Sequence, residues 1–259
     1  MAAESLIPDI YQLFQIIICD EGHLLDNEQR GLRYELLLSK FRSTSVGDKK
    51  FIFLSAIIPN LEDINIWLGG DKTSLIQSDY RPTELNFAFL KRSGDAFLLD
   101  VNPTKTKPEN YLLNNFLTKN VFQYLNPNTK RTNTYSYGTQ KTVAVAVALK
   151  AVPSGTVALF TPHKGKHGVS GLAEELIKQV STLSMTNPAN YSDKSRVALL
   201  KQYFKKLFGE EYLLTRLIDC GAVFHHGDLP QDVREAIEDA LRDGGVRLVI
   251  CTNTLAEGV

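Results

Sequence analysis

Two groups of residues in this chain of 259 have the types and spacing that suit chemistry on phosphates. In the first, the apolar residues Phe14, Ile16, Ile17, Ile18 and Cys19 run directly into Asp20-Glu21-Gly22-His23, two adjacent carboxylates followed by an imidazole. An apolar run without alternation suggests a strand covered on both faces, the central parallel strand of an α/β sheet, and such sheets bind ligands beyond the carboxyl ends of their strands. Two acids exposed there can hold a magnesium ion through water and activate a second water, which is what nucleotide hydrolysis requires. A strand ending in a solvated acidic turn contains the same residues, so the rest of the chain must decide.

In the second group, the strand-like Gly221-Ala222-Val223-Phe224 leads into His225-His226-Gly227-Asp228-Leu229-Pro230. Gln231-Asp232-Val233-Arg234 then opens a helix, and Val246 to Ile250 forms a strand ahead of Cys251-Thr252-Asn253-Thr254. Gly227 allows a close backbone approach to a phosphate, and a helix beginning near Pro230 offers free N–H groups and the positive end of its dipole. Arg234 can fork to a phosphate, and the hydroxyls of Thr252 and Thr254 can donate to phosphate oxygens without reading base identity. Zinc at His225 and His226 with Cys220 requires further ligands that the sequence does not supply. Gly165-Lys166 fails as a phosphate-binding loop, because Phe160 stands where the first glycine belongs and His167 where the hydroxyl belongs.

The elements that must position these groups follow from periodicity. Pro8-Asp9 can start a short helix, and Leu32, Leu36, Leu37 and Phe41 are spaced as the apolar side of a second one. Phe51 to Leu54 is a short strand ending in Ser55-Ala56-Ile57-Ile58-Pro59-Asn60; Leu61 to Leu68 is a helix stopped by Gly69-Gly70. Phe87, Phe89 and Phe97 to Val101 suggest a hairpin turning at Ser93-Gly94. Residues 102–142 hold six lysines and arginines against one acid, Glu109. They read as a solvated linker or, alternatively, as a basic surface with Lys130, Arg131, Tyr135 and Tyr137 near a nucleic-acid path. Gln140 to Val152 is a helix stopped by Pro153 and Gly155, Thr156 to Thr161 a strand, and Ser170 to Ser181 a helix with Leu172, Leu176, Ile177 and Val180 on one face. A further helix carries Val197, Leu200, Phe204 and Phe208.

Composition sets wide bounds: 43% hydrophobic and 22% charged residues describe an ordinary globular chain, and 29 basic against 29 acidic residues leave any nucleic-acid surface to be local. The scattered Cys19, Cys220 and Cys251 fit free thiols in a reducing compartment, and no run reaches the roughly 18 apolar residues of a membrane span, so an intracellular protein with no membrane partner is expected.

Asp20-Glu21-Gly22-His23 after its strand resembles motif II of the superfamily-two DExH-box helicases. Ser55-Ala56-Ile57 with Ile58-Pro59-Asn60 resembles motif III of the superkiller-like branch, Tyr80-Arg81-Pro82-Thr83 the exit from the first lobe, and Thr156 to Ser181 motif IV. The His-His-Gly turn with its arginine, followed by Thr252 to Val259, resembles motifs IVa and V. The resemblance implies an α/β fold of two incomplete RecA-like lobes with mainly parallel sheets flanked by helices. It places the first lobe in residues 1–101, a basic linker or insertion in 102–136, and the second lobe in 137–259. It implies an ATP-dependent helicase or translocase acting on DNA or RNA through a single-stranded tail. Asp20 would hold Mg²⁺ through water, Glu21 would orient and deprotonate the attacking water, and His23 would relay nucleotide state toward Ser55. ATP would touch Asp20, Glu21 and Gly258, and the strand would touch Gly227, Gln231, Arg234, Thr252 and Thr254. The family's phosphate-binding loop and motif VI are outside residues 1–259, so these residues alone are expected to hydrolyse no ATP. Ile57 departs from the family's threonine and cannot hydrogen-bond, which keeps a non-catalytic binding scaffold as the alternative.

Overall fold

The computed structural model describes residues 10–26, 31–43, 49–55, 60–78, 80 and 83–256. The chain divides into two compact units, Met1–Glu84 and Leu85–Val259. The division therefore falls ahead of the hairpin, earlier than residue 101.

The first unit holds helix α1 (Ile10–Leu13), strand β1 (Ile16–Cys19), a 3-10 turn at Gly22–Asp26, helix α2 (Gly31–Ser43), strand β2 (Lys50–Phe53) and helix α3 (Leu61–Trp67). β1 and β2 are parallel, with Ile16 opposite Lys50 and Cys19 opposite Phe53. The expectation that β1 is covered on both faces is corrected here: Ile16 and Ile18 are 57% and 66% exposed, because among the described residues β1 has one neighbouring strand and no layer over that face. α2 also turns a different side inward. Leu38 is buried while Leu32, Leu36 and Leu37 are exposed, and Phe41 sits edge-on to Tyr11 with ring centres 4.8 Å apart. The Pro8-Asp9 helix start, Ile57 and Arg81-Pro82 fall outside the described residues.

The second unit opens with three antiparallel strands, β3 (Ala88–Ser93), β4 (Ala96–Val101) and β5 (Tyr111–Leu117), in that spatial order. A small hairpin of β6 (Gln123–Leu125) and β7 (Thr132–Thr134) follows. Then come helix α4 (Gln140–Ala151), strand β8 (Val157–Phe160), helices α5 (Val169–Thr182), α6 (Lys194–Phe208) and α7 (Leu213–Leu217), strand β9 (Ala222–His225), helix α8 (Gln231–Arg242), strand β10 (Leu248–Cys251) and the short helix α9 (Asn253–Ala256). β8, β10 and β9 form a parallel sheet with β10 in the middle, and every residue of β9 and β10 is buried. Helix starts are capped by side chains: Thr139 accepts from Thr142 N ahead of α4, and Asp193 from Arg196 N ahead of α6.

Residues 102–136 are not a solvated linker. They contain β5, β6 and β7, and Leu117, Phe122 and Tyr135 from them form a second core with Phe97, Val143, Ala146 and Leu183. Tyr137 stacks on Phe122 at 4.6 Å, so of the four residues considered for a nucleic-acid surface two are packing residues, and only Lys130 and Arg131 stand exposed on the β6–β7 turn. α4 lies between the two cores: Val145, Ala148 and Leu149 face the parallel sheet's core, Val143 and Ala146 the other. Its polar ends, Gln140 and Lys150, stand exposed, while the valines and alanines between them are buried or half-buried.

Gly221 ends the turn before β9 in the left-handed region (φ 67°), and a Cβ there would stand 2.4 Å from the backbone nitrogen of Ala189. Gly221→Ala is expected to cost about 1–3 kcal/mol. Gly138→Ala, where a Cβ meets open space, should change the denaturant midpoint hardly at all.

Candidate functional site

In the first unit, the acid turn begins where the β1–β2 ladder ends. Leu54 N donates to Cys19 O and Gly22 N donates to Leu54 O, both at 2.8 Å, so Asp20 to Gly22 and Ser55 leave the same carboxyl edge of the parallel pair. Gly22 is required by space, since a Cβ would lie 2.2 Å from the Phe53 ring. Glu21 takes a left-handed backbone (φ 54°), its N–H donating to Asp20 Oδ1 at 2.9 Å. Its Oε2 lies 3.2 Å from His23 Nδ1. Asp20 is exposed, and among the described residues its second carboxylate oxygen has no partner. Tyr34 Oη donates to the Asp20 carbonyl at 3.2 Å; burial, then the neighbouring Cys19, pushes this phenol up to about 12, so the donor stays protonated across neutral pH. The sequence-predicted Asp20, Glu21, His23 and Ser55 are thus neighbours at one sheet edge. An exposed carboxylate beside an acid–imidazole pair is the donor set that a hydrated divalent cation and a water nucleophile take.

In the second unit, three loops leave the carboxyl ends of β8, β9 and β10. Thr161 N donates to Cys251 O at 2.9 Å and Thr252 N to His225 O at 3.2 Å, extending the ladder one step past each strand. Gly227 is exposed on the loop after β9, and Pro230 caps α8, whose first turn carries Gln231 and Arg234. Gln231 Nε2 donates to Glu235 Oε1 at 2.8 Å. Arg234 is half-buried, and its Nε has no hydrogen-bond partner among the described residues. An unpaired guanidinium at a helix N-terminus is a seat for an anion. Thr252 is buried at the end of β10; Thr254 belongs to α9, and Gly258 lies outside the described residues.

Three groups here, Glu238, Lys164 and Tyr34, escaped sequence reasoning. His225, fully buried, is held by Glu238 of α8 through a 2.7 Å contact at Nε2. The only signal for Glu238 is its place beside buried Ile237 on a helix that faces the sheet. Lys164, on the loop after β8, reaches Asp228 Oδ1 at 2.6 Å and so ties two of the three loops together. That pair spans 64 positions and has no local signature. Tyr34, donating from α2 to the acid turn, is the third.

His226 lies stacked on Phe224 at 5.4 Å. Burial lowers its imidazole below the ordinary 6.5, Lys164 and His225 add to the shift, and Asp228 opposes it. The hydrogen bond from Lys164 holds Asp228 below the usual carboxylate range. With a depressed folded value, His226 contributes stability above 6.5 that is lost as pH falls through its folded value. An NMR titration should place its midpoint below 6.5, and Lys164→Ala should move that midpoint up by removing a cation and freeing Asp228.

Residues 174–259 match the family of the helicase conserved C-terminal domain. The chain is 24% identical to the Hachiman protein HamB of Bacillus cereus over 97% of its own length and 22% of the relative's. It is 28% identical to the ATP-dependent DNA helicase Hel308 of Caldivirga maquilingensis, covering 96% of this chain and 28% of that protein. It is 26% identical to the human helicase POLQ-like, covering 94% and 20%. The chain thus spans between a fifth and under a third of the length of these relatives. By these matches it is similar to superfamily-two helicases, with β9, α8 and β10 inside the segment that matches their C-terminal domain.

Proposed function

We infer that this chain is part of an ATP-dependent helicase or translocase of the superkiller-like branch, in which hydrolysis at the acid turn drives movement along a nucleic-acid strand held at the carboxyl edge of β8, β10 and β9. The observation that carries the reading is the half-buried, unpartnered Arg234 on the first turn of α8, beside the exposed Gly227. Backbone phosphates are met by such groups without regard to base sequence. DNA is the favoured strand, since relatives along nearly the whole chain carry the name DNA helicase.

In this mechanism Asp20 would hold Mg²⁺, and Glu21 would orient and deprotonate the attacking water. His23, 3.2 Å from Glu21, passes the state of the nucleotide toward Ser55 on the same edge. Bound Mg²⁺ supplies charge stabilisation to the transferring phosphoryl group. Asp20, Glu21 and Gly258 would hold ATP, while Gly227, Gln231, Arg234, Thr252 and Thr254 would take the strand. A second reading, a helicase-like binding scaffold without turnover, is favoured by Ile57, whose side chain cannot carry a hydrogen bond between the two activities.

Two measurements separate the readings. In the full-length protein containing this chain, Glu21→Gln should lower DNA-stimulated ATP turnover roughly 10²–10⁴-fold while nucleotide binding persists; unchanged turnover, or none to begin with, favours the scaffold. Arg234→Ala should weaken single-strand binding about equally for unrelated sequences and flatten the slope of log affinity against log salt by about 1. A wild-type slope in that variant removes Arg234 from the strand path.

A further inference from the structure

α5 leaves the loop after β8 and returns along the sheet at about 1.5 Å per residue. Its later turns therefore lie toward the amino ends of the strands, the opposite end from the loops that carry Lys164, Gly227 and Thr252. There α5, the start of α4 and the β6–β7 hairpin line an open-sided cavity of about 860 Å³. That is the size of a small-molecule site, roughly 300–1,000 Å³. Its wall is rich in hydroxyls, Ser136, Thr142 and Thr182 among them, and holds Tyr124, one carboxylate, Glu175, and one ammonium, Lys178.

The charged groups in this wall are fixed in place but not used up. Glu175 Oε1 accepts from Tyr135 Oη at 3.1 Å and from Gln179 Nε2 at 2.8 Å, which leaves Oε2 without a partner among the described residues. Gln179 is fully buried, its Nε2 also donates to Thr142 O at 2.9 Å, and its Oε1 is unpaired. Lys178 Nζ stands 5.2 Å from the centre of the Tyr135 ring, a cation–π contact that keeps its N–H donors available. A complementary ligand brings an anion for Lys178, N–H or O–H donors for Glu175, and a flat ring for Tyr124. A neutral sugar lacks the anion, and an inorganic phosphate lacks the ring.

We propose that this cavity is a second nucleotide subsite, separate from the acid turn and from the strand-facing edge, which takes a nucleoside monophosphate unit. The unit is either a free mononucleotide or one residue of a nucleic-acid strand. The site stands on the second unit's own geometry and survives if the helicase reading fails.

The test is calorimetric titration of the full-length protein with AMP and, separately, with a single-stranded deoxyadenylate oligonucleotide. The variants are Glu175→Gln, which removes the acceptor charge, and Ser181→Trp, which fills the cavity from an exposed rim position. Both should weaken binding by about fivefold or more. Loss confined to AMP assigns a free nucleotide; loss confined to the oligonucleotide assigns a strand residue. Melting temperatures read alongside show that the variants are folded, and a Glu175→Gln that melts early leaves Ser181→Trp to decide. Equal affinities in wild type and in folded variants, or no binding up to about 10 mM of either probe, would overturn the proposal.

Discussion

The second unit depends on β10 being hydrogen-bonded on both sides. Its parallel register with β8 and β9 sets Cys251 beside both Phe160 and His225, and the ladder runs one further step through Thr161 and Thr252. Three loops are thereby released at a common level. A slip of one residue would turn every side chain of a fully buried strand to the other face, so the level is fixed by burial rather than by the loops themselves. Lys164 and Asp228, 64 positions apart, meet only because the strands do, whereas His225 meets Glu238 because α8 packs back on β9.

Packing also ties the antiparallel strands to this sheet. α4 serves both, because Val145 and Leu149 belong to one core and Val143 and Ala146 to another. Burying a leucine or valine is worth about 1.5–3 kcal/mol, so separating β3–β5 from α4 is costly, and the cavity between the β6–β7 hairpin and α5 keeps its shape for the same reason. Tyr135 belongs to both features: its ring is in the second core and its hydroxyl reaches Glu175 in the cavity wall.

Much of the frame was legible from periodicity. α5 buries Leu172 and Leu176 as their spacing implies, α6 buries Leu200 and Phe204, and the β3–β4 hairpin turns at Gly94. Short strands were harder to read. β6 and β7 have three residues each, too few to display alternation, and their polar residues imitate a linker although Phe122 and Tyr135 nearby are buried. β1 misled in the opposite sense: its unbroken apolar run reads as covered on both faces, yet Ile16 and Ile18 are open, since hydropathy reports what a residue prefers and not what lies against it. At the candidate sites, adjacent residues such as Asp20 and Glu21 could be read together. Glu238 and Tyr34 could not, because their partners are fixed by packing.

The backbone of Glu21 has a consequence for how the acid turn persists. A glutamate in the left-handed region is held against its own preference, by of order 1–3 kcal/mol, and glycine there would relieve it. The turn therefore keeps its shape through its surroundings, the Asp20 carboxylate that accepts the Glu21 N–H on one side and the Leu54 carbonyl that accepts the Gly22 N–H on the other, rather than through the preference of the residue that occupies it.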